Sequence, residues 1–179
     1  MAKRCIFLLG GARSGKSNHA QELAEKLSEK VLFVATAEAL DDEMQARINE
    51  HKKSRLTSWR TLETPANLGK QIEQQVGDAE VVLIDCLTLL VSNLLGEEID
   101  YEEAEKRVMA EMERLAGCIS KLDVTFIIVS NEVGMGLVPE NMLGRIYRDM
   151  LGKTNQIIAK HATEVYLMVA GIPMKVKEK

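Results

Sequence analysis

The stretch CIFLLGGARSGKSNHAQELAEKL, residues 5–27, most narrows what this chain can fold into. A run of five apolar residues stops at Gly10, the spacing G-x-x-x-x-G-K-S follows, and Ala20, Leu23, Ala24 and Leu27 then recur at helical intervals. That order is strand, turn, helix. Gly10 and Gly15 permit a tight turn whose backbone N–H groups wrap phosphate oxygens, and the helix N-terminus adds positive potential. The Lys16 ammonium can neutralise β- and γ-phosphate oxygens, and the Ser17 hydroxyl can ligate Mg²⁺.

The rest of the chain repeats this alternation. Apolar segments VLFVAT (31–36), EVVLIDC (80–86), VTFIIVS (124–130) and EVYLMVA (164–170) read as strands, and GIPMKV as a tight turn into a short terminal strand. Helices are predicted over 41–53, over 65–76 with Pro65 in the first turn, over 101–122 and over 142–162. LTLLVSNLL reads as a short buried helix before the acidic linker GEEID, and Ala104, Val108, Met112, Leu115 and Ile119 give the helix after it an apolar face. Val-, Ile- and Leu-rich strands without polar alternation require cover on both faces. The expected fold is therefore α/β, a doubly wound, mainly parallel sheet with a short antiparallel C-terminal edge, in one domain spanning 1–179. The turns after Leu9, Ala35, Asp85 and Ser130 are expected to share one surface, where ligands of such sheets sit.

Composition limits the partners. With 46% hydrophobic and 28% charged residues the chain is globular, and a net charge of −4 offers no general basic footprint for a nucleic acid. An anion site must be local. No run approaches the roughly 18–20 apolar residues of a membrane span, and a cytoplasmic location is expected. Cys5, Cys86 and Cys118 are odd in number and widely spaced, as suits reduced packing residues.

Two further residues bear on chemistry. Asp85 ends the strand VVLID at the edge where Ser17 is expected, so it can be the second acid beside a nucleotide-bound metal; an aspartate there can also cap a helix or a turn. His51 lies in ARINEHKKSR, and in a helix over 41–53 it shares a stripe with Met44, Ile48 and Arg55. On that ground alone it edges an apolar face. His19 and His161 show no metal-ligand spacing with it. The segment nevertheless leaves the second strand at the same edge as the phosphate loop. A neutral imidazole there can attack a nucleotide phosphate, with Lys52, Lys53 and Arg55 holding the charge that builds on oxygen.

GGARSGKS, VATAEALDDEM, ARINEHKKSR, WRTLE and NEVGMGLVPEN, in this order and spacing, resemble the bifunctional adenosylcobinamide kinase/adenosylcobinamide-phosphate guanylyltransferase family of cobalamin biosynthesis. The likeness runs from the phosphate loop to the terminal GIPMKV. It implies a RecA-like P-loop fold, a homotrimer and two reactions. In the first, ATP or GTP phosphorylates the aminopropanol hydroxyl of adenosylcobinamide. In the second, a histidine takes GMP covalently from GTP with release of pyrophosphate and passes it to adenosylcobinamide phosphate, giving adenosylcobinamide-GDP. His51 matches that histidine; some relatives carry two adjacent histidines, whereas Glu50 precedes His51 here. The nucleotide contacts implied are Gly10, Gly11, Ala12, Arg13, Ser14, Gly15, Lys16 and Ser17 in the loop, Val34, Ala35 and Thr36 after the second strand, Lys52, Lys53, Ser54 and Arg55 beside the histidine, and Glu63 and Asp85.

Glu63 has a physical role to match, because a carboxylate accepts from both the N1–H and the 2-amino group of guanine, a pair adenine lacks. NEVGMGLVPEN is either a shaped connection or part of the corrinoid or nucleotide site, with Asn131 and Glu132 emerging at the active edge. Two rival readings use the same cradle: a simple small-metabolite kinase, which leaves His51 structural, and a non-catalytic nucleotide switch.

Overall fold

The computed structural model describes residues 4–37, 56, 58–96 and 100–178. In chain order these form β1 (Cys5–Gly10), α1 (Lys16–Leu27), β2 (Val31–Ala35), β3 (Arg60–Glu63), α2 (Leu68–Gln75), β4 (Val81–Asp85) and α3 (Leu87–Leu95). There follow α4 (Tyr101–Lys121), β5 (Thr125–Asn131), α5 (Met142–His161), β6 (Glu164–Val169) and β7 (Ile172–Glu178). The strands make one sheet in the order β3-β2-β4-β5-β1-β6-β7, parallel throughout except for the antiparallel β6–β7 pair.

Alternate strand residues supply two cores. Phe7, Val34, Ile84, Phe126 and Ile128 face one side and pack with Leu68 and Ile72 of α2, Leu87 and Leu90 of α3, Met112 of α4 and Met150 of α5. Ile6, Leu8, Phe33, Leu83, Ile127 and Val129 face the other, against Ala20 and Ala24 of α1. Since both faces are buried, the strands read as unbroken apolar runs.

Helix ends are fixed by particular groups. The Asp100 side chain accepts from the N–H of Glu102 at 2.9 Å and of Glu103 at 3.3 Å, which starts α4. The helix expected over 65–76 begins instead at Leu68, so Pro65 lies outside it. The reason is tertiary: the buried Glu111 of α4 accepts from the Leu68 N–H at 2.6 Å and pairs with Arg114 at 2.8 Å. A long-range carboxylate thus caps α2 in place of a neighbouring residue.

Two further differences concern the sheet. β3, which the hydrophobic pattern does not predict, adds a strand at one edge, and β7 is seven residues long where a short strand is expected. The helix expected over 41–53 lies outside the described residues.

Candidate active site

The carboxyl ends of β1, β5, β4 and β2 meet at one edge of the sheet, as the strand pattern predicts. There β1 runs into the loop Gly10–Ser17. Its tight course uses left-handed backbone at Arg13 (φ 56°) and Gly15 (φ 88°), and the His19 N–H donates to Gly15 O at 3.0 Å as α1 begins. Gly11, Ala12 and Arg13 form an exposed rim, while Ser14, Gly15 and Ser17 are half-buried and Lys16 is buried. The Lys16 Nζ sits inside the loop, donating to Gly11 O at 2.6 Å and Ser14 Oγ at 3.3 Å.

Burial pulls the Lys16 ammonium below its ordinary value, opposed by Cys86 and Asp85. The Cys86 thiol is itself pushed up to about 11 by burial and by Asp85, so it stays protonated at neutral pH. Asp85 is therefore the anion beside the lysine that opposes this shift. The Ser17 hydroxyl donates to Asp85 Oδ1 at 3.3 Å, which brings the two expected metal-side residues together. One hydroxyl and one carboxylate are hard oxygen donors of the kind Mg²⁺ takes alongside phosphate and water. Among the described residues no three His, Cys, Asp or Glu side chains gather as a separate metal site.

β2 is tied to the same centre. Thr36 is buried, its Oγ1 donates to Cys86 O at 2.6 Å and accepts from the Cys86 N–H at 3.1 Å, and Asn93 Nδ2 donates to Thr36 O at 2.8 Å. Val34 lies fully in the core, so its side chain is engaged there, and Ala35 pairs with Asp85 on one side and with Glu63 on the other. Glu63 thus ends β3 at the same edge. Two strand spacings, about 10 Å, separate it from Asp85. His51, Lys52, Lys53, Ser54 and Arg55 lie outside the described residues.

Cys5 and Cys118 are buried, Cys86 is half-buried, and all three are free thiols, as their spacing predicts. The sequence gives no hint of the groups that hold the loop from behind. The β6–β7 turn, with left-handed Ala170 (φ 51°) and Gly171 (φ 84°), reaches the cradle, where the Gly171 N–H donates to Ser14 O at 3.0 Å. GIPMKV announces a turn, but not its contact. Gly10 passes against β6 so closely that a Cβ there would lie 2.7 Å from Met168 O and 2.6 Å from Ser14 Oγ. Gly10→Ala is therefore expected to push the loop off β6 by a fraction of an ångström or more and raise the nucleotide Kd about 10²-fold, with the circular dichroism spectrum preserved. Equilibrium dialysis with labelled GTP checks this; an unchanged Kd would show that the close approach is incidental.

No helix among the described residues is long and apolar enough to cross a membrane. The family model for cobinamide kinase / cobinamide phosphate guanyltransferase matches residues 6–176. The bifunctional adenosylcobalamin biosynthesis protein CobU of Escherichia coli is 43% identical to this chain, over 96% of it and 99% of the relative. The protein of the same name from Salmonella typhimurium is 41% identical with the same coverage, and CobP of Pseudomonas aeruginosa is 42% identical over 96% of each chain. Among solved structures, the flagellar accessory protein FlaH of Methanocaldococcus jannaschii aligns with a TM-score of 0.53 at 18% identity, over 99% of this chain and 80% of that one. The RadB recombinase aligns with a TM-score of 0.53 at 13% identity, over 93% and 74%. These two structures bear on the fold alone, which is RecA-like. Sequence, loop geometry and near-complete coverage agree: this chain belongs to the cobinamide kinase / cobinamide phosphate guanyltransferase family.

Proposed function

We propose that this chain, as a single catalytic domain, phosphorylates adenosylcobinamide and then transfers GMP from GTP to the phosphate it has made. The observation that carries the reading is the buried Lys16 ammonium inside the loop, beside the Ser17–Asp85 contact. In the first reaction the substrate hydroxyl oxygen attacks the γ-phosphorus of ATP or GTP, the bond to the β,γ-bridging oxygen breaks, and the hydroxyl proton is released. Loop N–H groups and Lys16 hold the phosphate oxygens in line for that displacement. Ser17 and Asp85 would hold Mg²⁺, which when bound neutralises charge on the β- and γ-oxygens.

In the second reaction a nitrogen lone pair of His51 attacks the α-phosphorus of GTP, forming a P–N bond as pyrophosphate leaves. An oxygen of adenosylcobinamide phosphate then attacks the same phosphorus, the P–N bond breaks, and the imidazole is restored. Lys52, Lys53, Ser54 and Arg55 would contact the phosphates through this sequence. Glu63 would read guanine, and its place two strands from Asp85 supports that role, since it sets a base and a phosphate group at separate points of one edge. Glu63→Gln presents one acceptor and one donor to two guanine donors. It is expected to lower the preference for GTP over ATP in the transfer step by roughly 10- to 100-fold, measured as the ratio of kcat/KM values.

Free cysteines fit a reducing compartment, and we place the enzyme in the cytoplasm. We also propose a homotrimer, which the exposed Ile172, Met174 and Val176 on the terminal strand β7 support as an association surface. The direct test is incubation of the purified chain with adenosylcobinamide and GTP. The expected sequence of products is adenosylcobinamide phosphate, then adenosylcobinamide-GDP with pyrophosphate. Formation of the phosphate alone would reduce the protein to a kinase, and absence of both products would refute the proposal.

A further inference from the structure

The connection between β5 and α5, residues 132–141, is fixed by polar anchors yet turns apolar side chains to water. The Glu132 carboxylate accepts from the N–H groups of Gly134 at 2.8 Å and Met135 at 3.0 Å. Arg145 donates to the carbonyl oxygens of Pro139 at 3.1 Å and Glu140 at 2.5 Å, and the Asn141 side chain accepts from the Gly144 N–H at 2.6 Å. On this frame Met135, Leu137 and Val138 are 80%, 95% and 63% exposed, and Met142 and Leu143 at the start of α5 are exposed beside them in sequence. Large apolar side chains that face solvent on a loop held in one shape mark an interaction surface. The methionine side chain adds adaptable contact area to it.

Position selects the occupant. The base of the connection is bonded into the nucleotide site: the Glu132 N–H donates to Gly10 O at 3.0 Å, and the Asn131 N–H donates to Thr88 Oγ1 at 2.8 Å beside the Asp85 strand end. β5 is also the direct neighbour of β1, whose end becomes the phosphate loop. A molecule lying on the connection therefore lies at the same sheet edge as a phosphate held in that loop. In a corrinoid kinase the molecule that must reach it is the corrinoid, a broad macrocycle with methyl-bearing faces and an amide rim. We propose that Met135, Leu137 and Val138, with Met142 and Leu143, are the platform for the apolar face of the corrin ring. This inference rests on the proposed kinase and guanylyltransferase reading.

The test compares wild type, Leu137→Ser, Met135→Ser and the conservative Leu137→Met. Leu137 projects almost wholly into water, so its replacement leaves the core intact. In kinase assays the KM for adenosylcobinamide is expected to rise about tenfold in each serine variant, with the KM for nucleotide unmoved and Leu137→Met close to wild type. Equilibrium binding of adenosylcobinamide, followed by its visible absorbance in dialysis, is expected to weaken in parallel. Equal corrinoid KM and binding in wild type and serine variants would overturn the platform. So would a serine variant that dissociates in sedimentation and regains its corrinoid affinity at high protein concentration, because a second copy would then be what covers the loop. Binding by wild type without phosphorylation, lost in the variants, would keep the platform and remove the kinase reading. No binding by wild type would remove both.

Discussion

His51→Ala is expected to end labelling of the protein by α-phosphate-labelled GTP and to lower guanylyl transfer at least about 10⁴-fold, while phosphorylation of adenosylcobinamide stays within about tenfold of wild type. The asymmetry follows from where each reaction places its bond changes. In the proposed kinase step the substrate hydroxyl joins directly to the γ-phosphorus, which would use the cradle, Lys16 and the Ser17–Asp85 pair and no protein nucleophile. The proposed transfer step splits one displacement at the α-phosphorus into two, and alanine has no lone pair to carry GMP between them. A phosphoramidate is acid-labile and base-stable, so the wild-type label is expected to disappear at low pH and to survive alkali. Attack on phosphorus requires a neutral imidazole. Labelling is therefore expected to fall at acid pH. Retention of the label in His51→Ala would move the nucleophile to another residue. Loss of both activities in a folded variant would instead make the histidine part of the shared nucleotide site.

The parts of this molecule legible in its sequence are those whose cause is local. Phe7 and Leu8, or Leu83 and Ile84, bury side chains on opposite faces of one sheet, so each such segment appears as an unbroken apolar run. The phosphate loop is contiguous, and its residue types are dictated by backbone geometry and charge within eight positions. β3 escapes because only Leu62 of Arg60–Glu63 is buried; its strand conformation comes from pairing with β2, not from its own pattern. The start of α2 escapes because its cap is a carboxylate 43 residues away, on Glu111. In the active site the same division holds. Ser17 and Asp85 could be paired in advance because strand order and a motif place both at one edge, and they do meet. Thr36 against Cys86, Glu132 against Gly10 and Gly171 against Ser14 are joints between segments far apart in the chain, and no single residue in them carries a signal of its partner.

Lys16→Met is the second substitution with a large expected effect, and it separates charge from packing. Methionine retains an unbranched apolar stem of similar length, so the buried volume beside the loop is preserved and the thermal midpoint is expected to change little. What disappears is the amine, which donates to Gly11 O and Ser14 Oγ within the cradle, with Asp85 opposing the downward pull of burial on its pKa. In the kinase step negative charge moves from the γ-phosphoryl group toward the β-phosphate, so a cation at those oxygens stabilises the transition state more than the bound substrate. The expected result is a fall of about 10²- to 10³-fold in kcat with a smaller rise in nucleotide KM. Guanylyl transfer is expected to suffer as well, since the departing pyrophosphate carries the same β- and γ-oxygens. Lys16→Arg is not expected to restore either rate, because a planar guanidinium does not reproduce the single point from which one Nζ reaches both loop acceptors. A loss confined to KM with kcat intact would mean that the lysine contributes only uniform binding of the nucleotide. A kcat within tenfold of wild type in both reactions would remove Lys16 from the chemistry altogether.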